Sequence, residues 1–214
     1  MKKILVLGAL FILPIIAYLF FASGVHNFAR LPILTYEVQD INTFSSLSGD
    51  AVSLKNKITI LGFLGTSVAQ KKGNAFNLNQ KIYKRFYEFN DFQVVMILPE
   101  GTQKQALALK KELSKLSDTR HWKFLFGNES QITALFNSFG TNLTLDSELS
   151  TPYVFIIDKD RNLRGRNDDE DVGSLYGFNA TSVAEINNKM LDDVKVILAE
   201  YRLALKKNNA YREK

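Results

Sequence analysis

Apolar residues along this chain follow two rhythms: short continuous runs, and longer stretches in which they return every three or four positions. Runs of that kind suit buried strands and the longer stretches suit amphipathic helices, so their alternation predicts an α/β domain. The first core strand is expected at Ile58–Phe63, followed by a Gly/Ser/Lys loop and a helix carrying Leu78, Ile82, Phe86 and Phe89 on one face. Phe92–Leu98, rich in Val and Ile, predicts the next strand. Thr102 and Gln105 then stand at capping-box spacing before a helix that turns Ala106, Leu109, Leu113 and Leu116 inward. Trp122–Phe126 predicts a strand, and Ile132, Leu135, Phe136 and Phe139 the buried face of a short helix. Tyr153–Ile157 is unbroken apolar sequence, as expected of a central strand covered on both faces. Asp158–Asn162 predicts a turn toward a short hairpin partner around Leu163. A long final helix follows, with Val183, Ile186, Met190, Val194, Ile197 and Tyr201 at helical spacing. Met96 and Met190 fall on core positions, and no internal repeat is visible.

The N-terminal run is of another kind. From Ile4 to Ser23 there is no charged residue, and twenty helical residues at about 1.5 Å each cover about 30 Å, the thickness of a bilayer's hydrocarbon core. Lys2 and Lys3 flank it, so the positive-inside bias places the N-terminus in the cytoplasm and the domain outside, in the periplasm if the cell is bacterial. A cleaved signal peptide is the rival reading. The run exceeds a typical signal core, and Phe20–Gly24 is a poor cleavage site, so an uncleaved anchor is expected. Pro14 is tolerable in a membrane helix. The expected organisation is an anchor over 1–24, an extended linker with a first strand (Leu31–Val38) over 25–50, the domain over 51–205 and a basic tail over 206–214.

Composition changes the picture in two places. The formal charge of +5 sits at the ends: Lys2 and Lys3 at one, and at the other a net of four from Arg202, Lys206, Lys207, Arg212 and Lys214 against Glu213. The domain between them is close to neutral, which argues against nucleic acid and leaves the basic ends for acidic lipid or an acidic partner. There is no cysteine, hence no disulfide and no thiol chemistry. Asn-X-Ser/Thr sequons at Asn128, Asn142 and Asn179 are read as chance in an Asn-rich chain.

Four segments together resemble a known family. Thr59–Ser67 is similar to the strand and Phe-rich turn leading into a Cys-x-x-x-Cys loop, and His121–Gly127 to a Trp-x-Phe-Leu-x-Gly segment. Ser150-Thr151-Pro152, followed by an apolar strand and Asp158, resembles a His-Ser-Pro leading into its own strand and Asp, and also the cis-proline segment of thioredoxins. Leu163-Arg164-Gly165 and the final helix complete the pattern. The chain thus resembles, over roughly residues 32–200, the Sco/SenC family: membrane-anchored, thioredoxin-like copper and thiol proteins of cytochrome oxidase assembly. The resemblance implies a Sco-type domain with a central sheet flanked by helices, behind one transmembrane helix. It also implies that Val68 and Lys72 stand where the family has its cysteines, and Ser150 where it has its histidine. None of the three is a soft metal ligand, so neither copper nor another cofactor is expected.

What remains is a degenerate site, Thr66, Ser67, Val68, Lys72, Ser150 and Pro152, expected to contact a partner rather than to catalyse. Ser67 has no Gly-x-Ser-x-Gly elbow and no histidine partner, and is expected to cap the following helix. His26 and His121 are the only histidines. Asp168–Asp171 lacks calcium-loop spacing and reads as a solvated acidic turn beside Arg164 and Arg166. The expected function is a non-catalytic binding, assembly or accessory subunit of an envelope membrane complex, with respiratory complexes among the candidates. The alternative is an enzyme or chaperone that uses the former cleft without thiols, for which convergent polar groups around Thr66, Ser67, Lys71 and Lys72 would speak.

Overall fold

The computed structural model describes residues 2–22 and 30–210, except for the side chains of residues 2, 4, 5, 9, 21, 22 and 203–210. In chain order the elements begin with α1 (Lys2–Ala22), β1 (Ile33–Thr35), β2 (Ser45–Ser46), β3 (Ile58–Leu64) and α2 (Val68–Leu78). A wider helical turn at Asn79–Tyr83 leads from α2 to α3 (Lys84–Phe86), followed by β4 (Phe92–Pro99), α4 (Gln103–Ser114), β5 (Trp122–Gly127) and α5 (Glu129–Asn137). Then come β6 (Ser150–Ile157), β7 (Leu163–Arg164), β8 (Arg166–Asp169), β9 (Gly173–Leu175), β10 (Phe178–Asn179), α6 (Val183–Glu185) and α7 (Leu191–Ala210).

The sheet runs β1-β7-β6-β3-β4-β5-β2, with β10 also paired to β6, while β8 and β9 form a separate hairpin. β3, β4 and β5 are parallel; β6 lies antiparallel to β3. All seven residues of β3 are buried, as a strand covered on both faces requires. Because side chains alternate across a strand, Ile58 and Ile60 join Val94, Met96, Trp122 and Phe124 on one face. Helices α2, α4 and α7 pack onto that face through Leu78, Leu109 and Ile197. On the other face Phe63 and Phe155 meet Phe136 of α5 and Phe139 just beyond it. Their ring centroids lie 4.9 to 6.3 Å apart, several edge-on, as aromatic quadrupoles prefer.

Several expectations shift. Leu31, Val38, Ile41, Phe44, Val52 and Leu54 are buried, and β1 and β2 close the two ends of the sheet, so most of the expected linker is domain. Phe89 and Leu116 are largely exposed, because their helices end before reaching them, at Phe86 and Ser114. Thr102 does not cap α4; its hydroxyl donates instead to the Pro99 carbonyl. The capping box is at α5, where Asn128 accepts from the Gln131 N–H and Gln131 accepts from the Asn128 N–H. The acidic run is not simply solvated. Asp169 is buried and takes Lys189 at 2.8 Å, while Arg166 forks onto Asp193 at 2.9 Å. Arg164 lies elsewhere, buried against the Leu31 carbonyl, Asp158 and Glu200.

Helix α1 exposes Val6, Leu10, Phe11 and Ile12 and contains Pro14. Its longest unbroken stretch of described side chains is 10–20, and among the described residues no helix is long and apolar enough to cross a membrane. Ser23 and His26, and the tail beyond residue 210, lie outside the described residues.

Phe155→Ala removes the ring at the centre of the aromatic cluster and is expected to cost about 3–5 kcal/mol in equilibrium urea unfolding. Leu107→Ala, on the exposed face of α4, should stay within about 0.5 kcal/mol of the parent. Equal losses would contradict this packing.

Candidate functional site

β3 ends at Leu64, paired with Ser150 at the start of β6. Gly65 follows with φ +66°, a conformation that favours glycine, and a Cβ there would collide with the Glu148 carbonyl. The Thr66 N–H donates to that same carbonyl at 3.1 Å. The chain then enters α2 at Val68, whose side chain is buried in the core. With Val68 turned inward, Ser67 and Lys71, one helical turn apart, share the face toward residues 146–150.

That segment is shaped by Asp146. One carboxylate oxygen accepts from the N–H groups of Glu148 and Ser150, both at 2.9 Å, and the other accepts from the Ser150 hydroxyl at 2.7 Å. Leu149 takes a left-handed φ of +61° in this turn. The Lys71 ammonium then donates to Asp146 at 2.9 Å, to Glu148 at 2.9 Å and to the Ser150 hydroxyl. The Ser67 hydroxyl donates to the second Glu148 oxygen at 2.6 Å, so it bridges loop and turn rather than capping α2.

The protonation states follow. Burial works against the charge on Lys71, but hydrogen bonds to Glu148 and Asp146 outweigh it and raise its pKa. Burial likewise works against the charge on Asp146, yet the Ser150 and Lys71 hydrogen bonds pull it down to about 2. Ser67 and then Lys71 lower Glu148. At neutral pH the cluster is an ammonium among carboxylate and hydroxyl oxygens. Such a lysine is no general base, and the Ser150 hydroxyl beside it is already donating to Asp146. The donor set does not fit copper: there is no thiolate or imidazole, and a fixed cation occupies the space between loop and turn.

Of the residues expected to mark the site, the structure brings together Ser67 and Ser150. Val68 lies in the core, Lys72 turns away to Glu112 of α4 at 3.1 Å, and Thr66 and Pro152 are exposed. The residues facing Ser150 are therefore 67 and 71, not 68 and 72. Among the described residues there is no cis peptide, so the Thr151–Pro152 bond is trans. His121 lies at the start of β5, far along the sheet from Ser150. Lys71 stood near the expected site, but Asp146 and Glu148 were missed. Their signal is an Asp followed two and four residues later by Glu148 and Ser150, since an Asp side chain readily accepts from the backbone N–H two residues on and so starts a tight turn.

No family model matches the sequence, and no curated protein does. Among solved structures, BsSco, a member of the Sco family of cytochrome c oxidase assembly proteins with an identified disulfide switch, superposes with a TM-score of 0.55. It is 18% identical, and the match covers 79% of this chain and 98% of that one. A SCO1/SenC family lipoprotein from Bacillus anthracis gives 0.55 at 16% identity, covering 82% and 99%. The fold is Sco-type. This Sco-type chain has no cysteine anywhere, so a disulfide switch like that of BsSco has no counterpart in it.

The sign of the pH dependence follows from the depressed Asp146. Its stabilising contribution is present above its ordinary value of 3.8 and is lost as pH falls through about 2. Asp146→Asn should therefore flatten the stability–pH curve between pH 3.8 and about 2 in urea unfolding. An unchanged slope would show that the carboxylate is not held as described.

Proposed function

We propose that this protein is a membrane-anchored, non-catalytic Sco-type domain serving as a binding, assembly or accessory subunit of an envelope membrane complex. The observation that carries the reading is the Lys71 ammonium, bound by Asp146, Glu148 and Ser150 in the space between the loop and the start of β6. A site filled by the protein's own cation, in a chain without thiols, leaves the fold as a docking surface. The Sco context of the similar structures favours a respiratory complex as the partner.

Anchoring rests on α1. Its 21 residues rise about 31 Å at 1.5 Å each, ten of its large apolar side chains are exposed, and Lys2 and Lys3 supply the basic flank. On this reading the domain lies outside the cytoplasm and lipid surrounds α1.

Full-length protein in a mild detergent should show no copper binding tighter than a Kd of about 1 µM by equilibrium dialysis, and alkaline carbonate should leave it in the membrane fraction. Stoichiometric copper of higher affinity would restore a metallochaperone role. Release by carbonate would remove the anchor. Purification from native membranes should retain a membrane-complex subunit in constant proportion, and a protein that arrives alone under the mildest extraction would count against an accessory subunit.

A further inference from the structure

At the opposite end of the sheet, where β3, β4 and β5 begin, two adjacent cavities open on either side of Lys123. One, of about 300 Å³, is lined by Lys55, Lys57, His121 and Lys123 among others. The second, of about 210 Å³, lies against Lys110, Trp122, Lys123 and Asp50. Although the domain is close to neutral, four lysines line the two cavities, with Asp50 the one lining carboxylate and Asp91 beside Lys57. Lys55, Lys110 and Lys123 form no ion pair among the described residues, whereas Lys57 donates to the Asn90 carbonyl and lies 4.0 Å from Asp91. The local field is felt at His121, whose pKa is lowered by burial and then by Arg120, Lys57 and Lys123.

Two residues that line these cavities each carry a buried nitrogen without a partner. Trp122 is 1% exposed and its indole N–H makes no hydrogen bond; Nε2 of His121 has none either. A buried N–H without a partner is costly, so a small side-chain shift that brought a ligand oxygen to it would recover that cost. The groups presented are chiefly donors, which selects an oxyanion. The cations also say which kind. Arg120, the nearby guanidinium, is turned away onto the Tyr87 ring and Asp118. Without a planar fork to grip a carboxylate, lysine ammoniums act as point charges, the mode in which they bind phosphate.

We infer that the lysines around these adjoining cavities bind a small soluble molecule carrying two directly linked phosphate groups, held about Lys123, the residue that both cavities share. The inference is independent of the proposed function: it uses the far end of the sheet and needs no membrane partner.

The test uses the full chain in a non-ionic detergent, titrated with sodium pyrophosphate at constant ionic strength. Trp122 is the only tryptophan, so its emission reports on the site directly, and calorimetry gives the stoichiometry. Expected is a saturable emission change with one equivalent bound and a Kd below about 1 mM. The double variant Lys55→Met/Lys123→Met should weaken binding by about tenfold or more. Lys104→Met, an exposed lysine of α4 outside both cavities, should leave it unchanged, with circular dichroism to check that both variants fold. Absence of a saturable response would overturn the inference. So would an equal response to sulfate, or equal weakening by Lys104→Met, since either shows general screening by surface charge.

Discussion

The antiparallel pairing of β3 with β6 is the constraint on which the site depends. Thr59 faces Ile157 and the register runs through Leu61 and Phe155 to Leu64 and Ser150, with one irregularity after Gly62. Both strands are buried along most of their length, so a one-residue slip would turn the core side chains to the wrong face. The loop after β3 and the turn before β6 are thus brought side by side by backbone bonds, and Gly65 allows the closest approach. Whatever residues stand at 67, 71 and 150 must share one small space.

This chain fills that space with an ammonium. Lys71, Asp146 and Glu148 keep side-chain exposures of 24, 48 and 40%, so water screens their attraction and the cluster is a modest contributor to stability. Its effect is on chemistry. A lysine fixed among oxygens occupies the position between Asp146, Glu148 and Ser150, while the hydroxyls of Ser67 and Ser150 are tied up by the two carboxylates. The core on both faces of the sheet, rather than this cluster, is the main source of stability.

Much of the fold was legible in the chain. The core strands at 58, 92, 122 and 153 and the helices between them appear where the apolar rhythm placed them, since burial on both faces leaves a strong pattern. Two things were not legible. Segment 31–54 is stitched into the domain by scattered apolar residues and by Asp146-like side-chain bonds at Asp40, which accepts from Ile41, Ser53 and Leu54 and leaves no periodic signal. The residues that face Ser150, 67 and 71, stand one position before those the resemblance pointed to. A resemblance across a loop has no apolar rhythm to fix it, although Val68, the one large apolar residue in 66–72, was the clue to which side faces the core.

The register claim admits a direct measurement. In the full chain, Ser67→Cys and Lys71→Cys together with Ser150→His place two thiols and an imidazole where the present hydroxyls and ammonium meet. Thiolates are soft ligands that select copper. Titration with Cu(I) under anaerobic conditions, with X-ray absorption to identify the ligands, should give one copper per chain bound through sulfur. The matching variant with Val68→Cys and Lys72→Cys should bind none, because one thiol is buried in the core and the other faces α4. A folded 67/71 variant without copper, or a 68/72 variant that binds it, would contradict the account.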